Sequence, residues 1–135
     1  MNKITTYIGA VMTWECDSNR HMNVMYYINK FEHAGRNFDI ELGLFTDANR
    51  AEIGLVVLEQ NIKYHQEVFE DDLLYIESSL LSIGNKAFTI LHEMYNRRTK
   101  TLVCTMEATL VLFDKINRRA LLFPSDKKMA LMEGK

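Results

Sequence analysis

The stretch WECDSNRHMNVMYYINKFEHAGRNFDIELG, residues 14 to 43, decides the fold. Its second half is helical by pattern. From Asn23 onward Val24, Ile28, Phe31, Phe38 and Leu42 fall at spacings of four, three, seven and four, with Gly35 on the same line. Gly43 is a natural stop, because glycine takes the left-handed position at a helix end without a Cβ clash. One long, largely buried helix of about five turns follows. The first half is a cluster of polar groups, Asp17, Asn19, His21 and Asn23, set just before the helix start.

Outward from this stretch the period changes. Between Lys3 and Trp14 the even positions Ile4, Ile8, Ala10, Met12 and Trp14 share a side, which predicts a strand. After the polar segment Thr46 to Glu52, Val56, Leu58, Ile62 and Tyr64 alternate with polar neighbours, and Leu73 to Leu81 is again short and apolar. Gly84-Asn85 separates that strand from Ala87 to Tyr95, and Asn96 to Lys100 separates the latter from Thr101 to Phe113, so two successive hairpins are expected. Pro124, Ser125 and Asp126 then open a short helix containing Met129 and Leu131. The order is strand, long helix, four strands, short helix. This is an α+β domain with an antiparallel five-stranded sheet. One helix covers one face of such a sheet and leaves its edges unpaired, so self-association is expected.

Length and composition bound the rest. A chain of 135 residues fits one domain, 1–135, and 47% apolar residues fill its core without disulfides or a structural metal. Sixteen Lys plus Arg against eighteen Asp plus Glu give a net charge of -2. No global field attracts nucleic acid or an anionic membrane, and neither partner is expected. Cys16 and Cys104 are too few and too far apart for a four-cysteine zinc site, and read as two reduced thiols. The four histidines show no metal-binding spacing, so no metal is expected. With no signal-peptide pattern in MNKITTYIGAVMTWE, the expected location is cytoplasmic.

The cluster before the helix carries the chemistry. A helix start presents backbone N–H groups that lack intrahelical partners and a partial positive charge, which together stabilise an oxyanion. A carboxylate beside it can attack a carbonyl or activate water, and either suits hydrolysis of an activated acyl compound. The same residue types are also helix caps, so Asp17 and Asn23 have a purely structural reading as well.

Written as D-x-x-x-H-x-N-x-x-x-Y-x-x-x-F-E, the residues Asp17, His21, Asn23, Tyr27, Phe31 and Glu32, followed by Ala34 and Arg36, resemble the signature of the 4-hydroxybenzoyl-CoA thioesterase-like hotdog family. Asp71, Asp72 and Gly84 match its acidic pair and glycine turn, and the basic residues before Pro124 match its last turn. Arg20 stands where the family often has Gly, and Val24 where it often has a second Asn. The resemblance implies the hotdog fold, in which a curved sheet wraps the long central helix. It also implies an acyl-CoA substrate, with coenzyme A part of that substrate and no separate cofactor. Asp17 would be the catalytic carboxylate and backbone N–H groups near Asn23 and Val24 the oxyanion hole. His21 and Asn23 would orient the acyl group or the loop, Tyr27 would line its pocket, and Arg118 and Arg119 would meet the phosphates of the coenzyme. Active sites would lie between the chains of a homodimer, or of a dimer of dimers, with residues 61 to 65 of one chain near Asp17 of the other.

Two alternatives stand beside thioester hydrolysis. Asp17-Ser18-Asn19-Arg20-His21 resembles the hotdog enoyl-CoA hydratase pattern D-x-N-P-x-H, although His21 follows Asp17 by four rather than five and the proline is missing. A non-catalytic acyl-binding module is the other, since a capping Asp needs no chemistry.

Overall fold

A computed structural model describes residues 2–133; Met1, Gly134 and Lys135, the ends of the expected domain, lie outside them. The elements are β1 (Ile4–Ala10), a single 3-10 turn (Thr13–Glu15), α1 (Val24–Leu42), β2 (Ile53–Tyr64), β3 (Leu73–Ile83), β4 (Ala87–Asn96), β5 (Leu102–Asp114), β6 (Arg119–Ala120) and α2 (Ser125–Glu133). The five long strands pair antiparallel in the order β1-β3-β4-β5-β2, and the two-residue β6 adds to β5. Both hairpins form where expected, and β1 and β2 become the edges.

Helix α1 begins where Asn23 accepts the Met25 N–H on its side chain (3.1 Å), and ends where Gly43 turns to φ 65°. Its buried face is Tyr27, Lys30, Phe31, Ala34, Phe38 and Leu42. This stripe is shifted from the expected one: Val24 is 54% exposed and Tyr27 and Ala34 take the inward positions. Phe31 and Ala34 pack with Val68, Ile76, Met94 and Met106, while Phe38 and Leu42 pack with Leu80, Phe88, Ile90 and Phe123. The helix thus lies on one face of the sheet along most of its length.

In the first strand the expected inward face is not the observed one. A bulge between Thr5 and Tyr7 breaks the period of two, and Thr6 and Val11 are buried while Ile8, Met12 and Trp14 face outward. The strand also stops at Ala10, because the 3-10 turn redirects the chain toward the helix start. Among the described residues no helix is long and apolar enough to cross a membrane.

Candidate active site

Residues 16 to 23 form a small loop that delivers Asp17 to the start of α1. Cys16 and Met22 make an isolated antiparallel bridge, the Asp17 N–H donates to the His21 carbonyl (3.1 Å), and the Arg20 N–H donates to the Asp17 carbonyl (2.9 Å). Closing so tight a loop puts Arg20 at φ 63°, in the left-handed region that favours glycine. The strain at a non-glycine residue there predicts that Arg20→Gly raises unfolding free energy by about 0.5 to 1 kcal/mol, despite the added freedom of the unfolded chain. Urea titration of the two proteins measures it, and an unchanged or lower midpoint would refute it.

Asn23 performs two tasks. Its Oδ1 caps the helix, and its Nδ2 donates to Asp17 Oδ2 (3.0 Å). The other oxygen, Asp17 Oδ1, accepts the Asn19 N–H (2.9 Å) and lies 3.8 Å from His21 Nε2. These donors, Asn23 first, hold the Asp17 carboxyl below its ordinary range, so it is ionised at neutral pH. His21 is itself oriented by Glu67, whose carboxylate is 2.9 Å from Nδ1.

The helix start also discriminates between its donors. The Asn23 N–H is taken by the Glu15 carbonyl (2.8 Å), whereas the Val24 N–H has no acceptor among the described residues. Of the two groups expected near an oxyanion, Val24 is the one left free to donate. Val24, Tyr27 and His21 line a groove of about 360 Å³ whose other wall is the end of β2 and the segment after it, Tyr64 to Glu67. Tyr27 and Tyr64 meet edge to face at 5.0 Å.

Asp17, His21, Asn23, Val24 and Tyr27 are therefore brought together. Arg118 and Arg119 are not part of that groove. Arg118 ends the β5–β6 turn and at φ 58° lays its guanidinium over Phe113 at 5.0 Å, while Arg119 is the first residue of β6. The thiols do not compete as nucleophiles: desolvation, followed by Glu70, Asp17 and Glu15, raises Cys16, and burial pushes Cys104 up to about 12.

Beneath the loop lies a pair that the sequence pattern did not single out. Lys30 Nζ, on a residue 2% exposed, reaches both carboxylate oxygens of Glu15 at 3.0 and 2.9 Å, and Glu15, 7% exposed, also accepts the Met12 N–H at 2.8 Å. Since Glu15 holds Asn23 through its carbonyl, this ion pair ties the Asp17 loop to the body of α1. The available signal was a lysine on the buried helical stripe, one turn from Tyr27 and Ala34.

The thioesterase-like superfamily is matched across residues 11–131. No curated protein matches the chain. Among solved structures, the chain is similar to a hypothetical protein from Staphylococcus aureus in complex with CoA, at 20% identity and a TM-score of 0.83, covering 99% of this chain and 85% of that one. It is also similar to a mutant 4-hydroxybenzoyl-CoA thioesterase complexed with 4-hydroxybenzoyl-CoA, at 21% identity and a TM-score of 0.82, covering 96% and 98%. A 1,4-dihydroxy-2-naphthoyl-CoA thioesterase from Synechocystis aligns with a TM-score of 0.80 at 13% identity, over 98% and 97% of the two chains. All share the hotdog fold with this protein.

Proposed function

Since the chain belongs to the thioesterase-like superfamily, we propose that it hydrolyses an acyl-CoA to a free carboxylic acid and coenzyme A, with Asp17 as the catalytic carboxylate. The observation that carries this reading is an ionised carboxylate held by the Asn23 cap and next to His21, together with the unoccupied Val24 N–H; His21 and Val24 line the groove of Tyr27 and Tyr64. The thioester carbonyl oxygen would take the Val24 N–H, where the positive end of the helix stabilises developing negative charge. Either Asp17 attacks the carbonyl carbon, the coenzyme thiolate leaves and water hydrolyses the resulting acyl–Asp17 anhydride to the carboxylic acid, or Asp17 takes a proton from a water that attacks the carbonyl carbon and the thiolate leaves. The lowered Asp17 pKa keeps the carboxylate ionised, as either role requires. His21 and Asn23 position the carboxylate, and Arg118 and Arg119 offer guanidinium groups suited to the phosphates of the coenzyme.

Thiol release from a panel of acyl-CoAs by wild type and Asp17→Asn tests the assignment. A loss of about 100-fold or more in kcat is expected for the variant, the lower range for removing a catalytic acid or base. Equal turnover would remove Asp17 from the mechanism. Because the carboxyl sits below its ordinary range, the acid limb of kcat/KM should also fall below the usual carboxylate pKa in the pH range where the protein stays folded.

The active unit is proposed to be a homodimer or a dimer of dimers. Among the described residues, edge strand β2 pairs only with β5, and it exposes Val57, Leu58 and Tyr64, apolar and aromatic side chains that a second chain would cover. Activity should then fall on dilution in step with dissociation followed by analytical ultracentrifugation. A monomer of full specific activity would show that one chain completes the site.

A further inference from the structure

A second cavity, of about 230 Å³, lies further along α1 and β2, the same two elements that bound the groove. Tyr27 is followed one turn down α1 by Phe31 and then Gly35, and Tyr64 is preceded on β2 by Gln60 and Val57; all four of these later residues line the second cavity. Its volume exceeds the ~150 Å³ of an engineered apolar cavity that takes up benzene. Its floor is apolar, with Ile90, Met106 and Leu110, and its rim carries Glu32, Arg36 and Asp39.

Two features mark this cavity as built to be filled. A glycine in mid-helix destabilises by about 0.5 to 1 kcal/mol relative to alanine. A Cβ added at Gly35 would meet nothing within 4 Å, so no packing within the chain demands glycine there. The second feature is His92, 3% exposed, which lines the cavity and is held between Phe31 (stacked, 5.9 Å) and Phe38 (edge-on, 6.5 Å). Its Nδ1 is 2.5 Å from Ser78 Oγ, which is 2.7 Å from Thr6 Oγ1, which reaches the Ile76 carbonyl at 3.4 Å. A carbonyl only accepts, so Thr6 donates to Ile76, Ser78 to Thr6, and the Nδ1–H of His92 to Ser78. The neutral ring is thereby left with a lone pair on Nε2, which takes no hydrogen bond among the described residues. Burial, which pushes His92 down to about 4, keeps it neutral at ordinary pH.

We propose that the far half of the acyl group occupies this cavity and that His92 Nε2 accepts a hydrogen bond from a hydroxyl on it, so that the preferred substrates are medium-chain hydroxyacyl thioesters. The inference rests on the thioesterase reading for the reaction, and on the cavity alone for the binding. Phe31, the ring stacked on His92, lies seven residues beyond Val24. That is about 10 Å along the helix, further than one phenyl ring reaches and suited to a chain of roughly eight carbons.

The experiment compares ω-hydroxyhexanoyl-, ω-hydroxyoctanoyl- and ω-hydroxydecanoyl-CoA with their unsubstituted counterparts. Wild type is expected to prefer the hydroxylated octanoyl or decanoyl compound by about tenfold or more in kcat/KM, because an acceptor buried without its donor penalises the plain chain. In His92→Phe, which keeps an aromatic ring between Phe31 and Phe38, the pair should become equal. If that variant does not fold, Ser78→Ala, which frees the tautomer, should shrink the preference. Gly35→Leu should lower kcat/KM for octanoyl-CoA at least about tenfold more than for acetyl-CoA, since the side chain fills the cavity. Equal rates for both compounds in wild type, or a preference that survives removal of the histidine, would overturn the proposal. If no acyl-CoA is hydrolysed, the thioesterase reading fails by itself. Calorimetry with the same pairs then decides this one: tighter binding of the hydroxylated compound that depends on His92 supports it, and equal binding refutes it.

Discussion

Lys30→Met should lower the unfolding free energy by about 3 to 5 kcal/mol, the range for breaking a buried ion pair from one side. Removing the ammonium leaves the Glu15 carboxylate, 7% exposed, with the Met12 N–H as its remaining donor. Neither partner can simply turn to water, because Lys30 lies on the buried face of α1 and Glu15 closes the 3-10 turn above it. Two measurements separate this from generic core damage. Urea titration of Lys30→Met, Glu15→Leu and the double variant should show the double variant more stable than Lys30→Met alone, because replacing both charges by apolar groups removes the uncompensated one. Thiol release should fall with the single variant as well, since the Glu15 carbonyl accepts the Asn23 N–H and Asn23 holds Asp17. A loss under about 1 kcal/mol in the single variant would mean that Glu15 reaches solvent, and the tie between loop and helix would have no energetic weight.

His92 should make the protein lose about 3 kcal/mol of stability, relative to a His92→Phe variant, as pH falls from about 6.5 to about 4. The sign follows from which state binds the proton. Burial lowers the folded-state pKa to about 4, while the unfolded ring titrates near its ordinary 6.5. Between those values the unfolded chain takes up a proton that the folded chain refuses, so unfolding is favoured. The contribution is fully present above 6.5 and gone below the folded value. Asp39, on the rim of the same cavity, works in the opposite direction: desolvation, with Glu32 adding and Arg36 opposing, raises its carboxyl to about 7, so the folded chain gains on acidification there. The comparison with His92→Phe cancels that contribution, and Glu32 and Arg36 are common to both proteins. Unfolding free energies at a series of pH values give the difference curve. A flat difference would show that the folded imidazole protonates freely, which its enclosure by Phe31, Phe38, Ser78 and the apolar floor opposes.

The parts of this protein that the sequence determined by itself are those made by neighbours. Helix α1 from its Asn23 cap to Gly43, the strands β3, β4 and β5, and the two hairpins that join them arise from contacts a few residues apart, so their signals lie side by side in the chain. The Asp17 site was legible for the same reason: Asp17, Asn19, His21 and Asn23 bond to one another within a single loop. Which residues of β1 face inward was not legible, because a one-residue bulge reverses the pattern without any mark in composition. The far wall of the groove was not legible either, since Glu67 meets His21 across forty-six residues. Only the tertiary structure joined Lys30 to Glu15, and only it assembled His92, Ser78 and Thr6, the last two seventy-two residues apart, into one buried chain. Local spacing specifies which side chains share a face of one element. What stands opposite that face depends on strand order, and the order β1-β3-β4-β5-β2 was decided when the sheet closed over the helix.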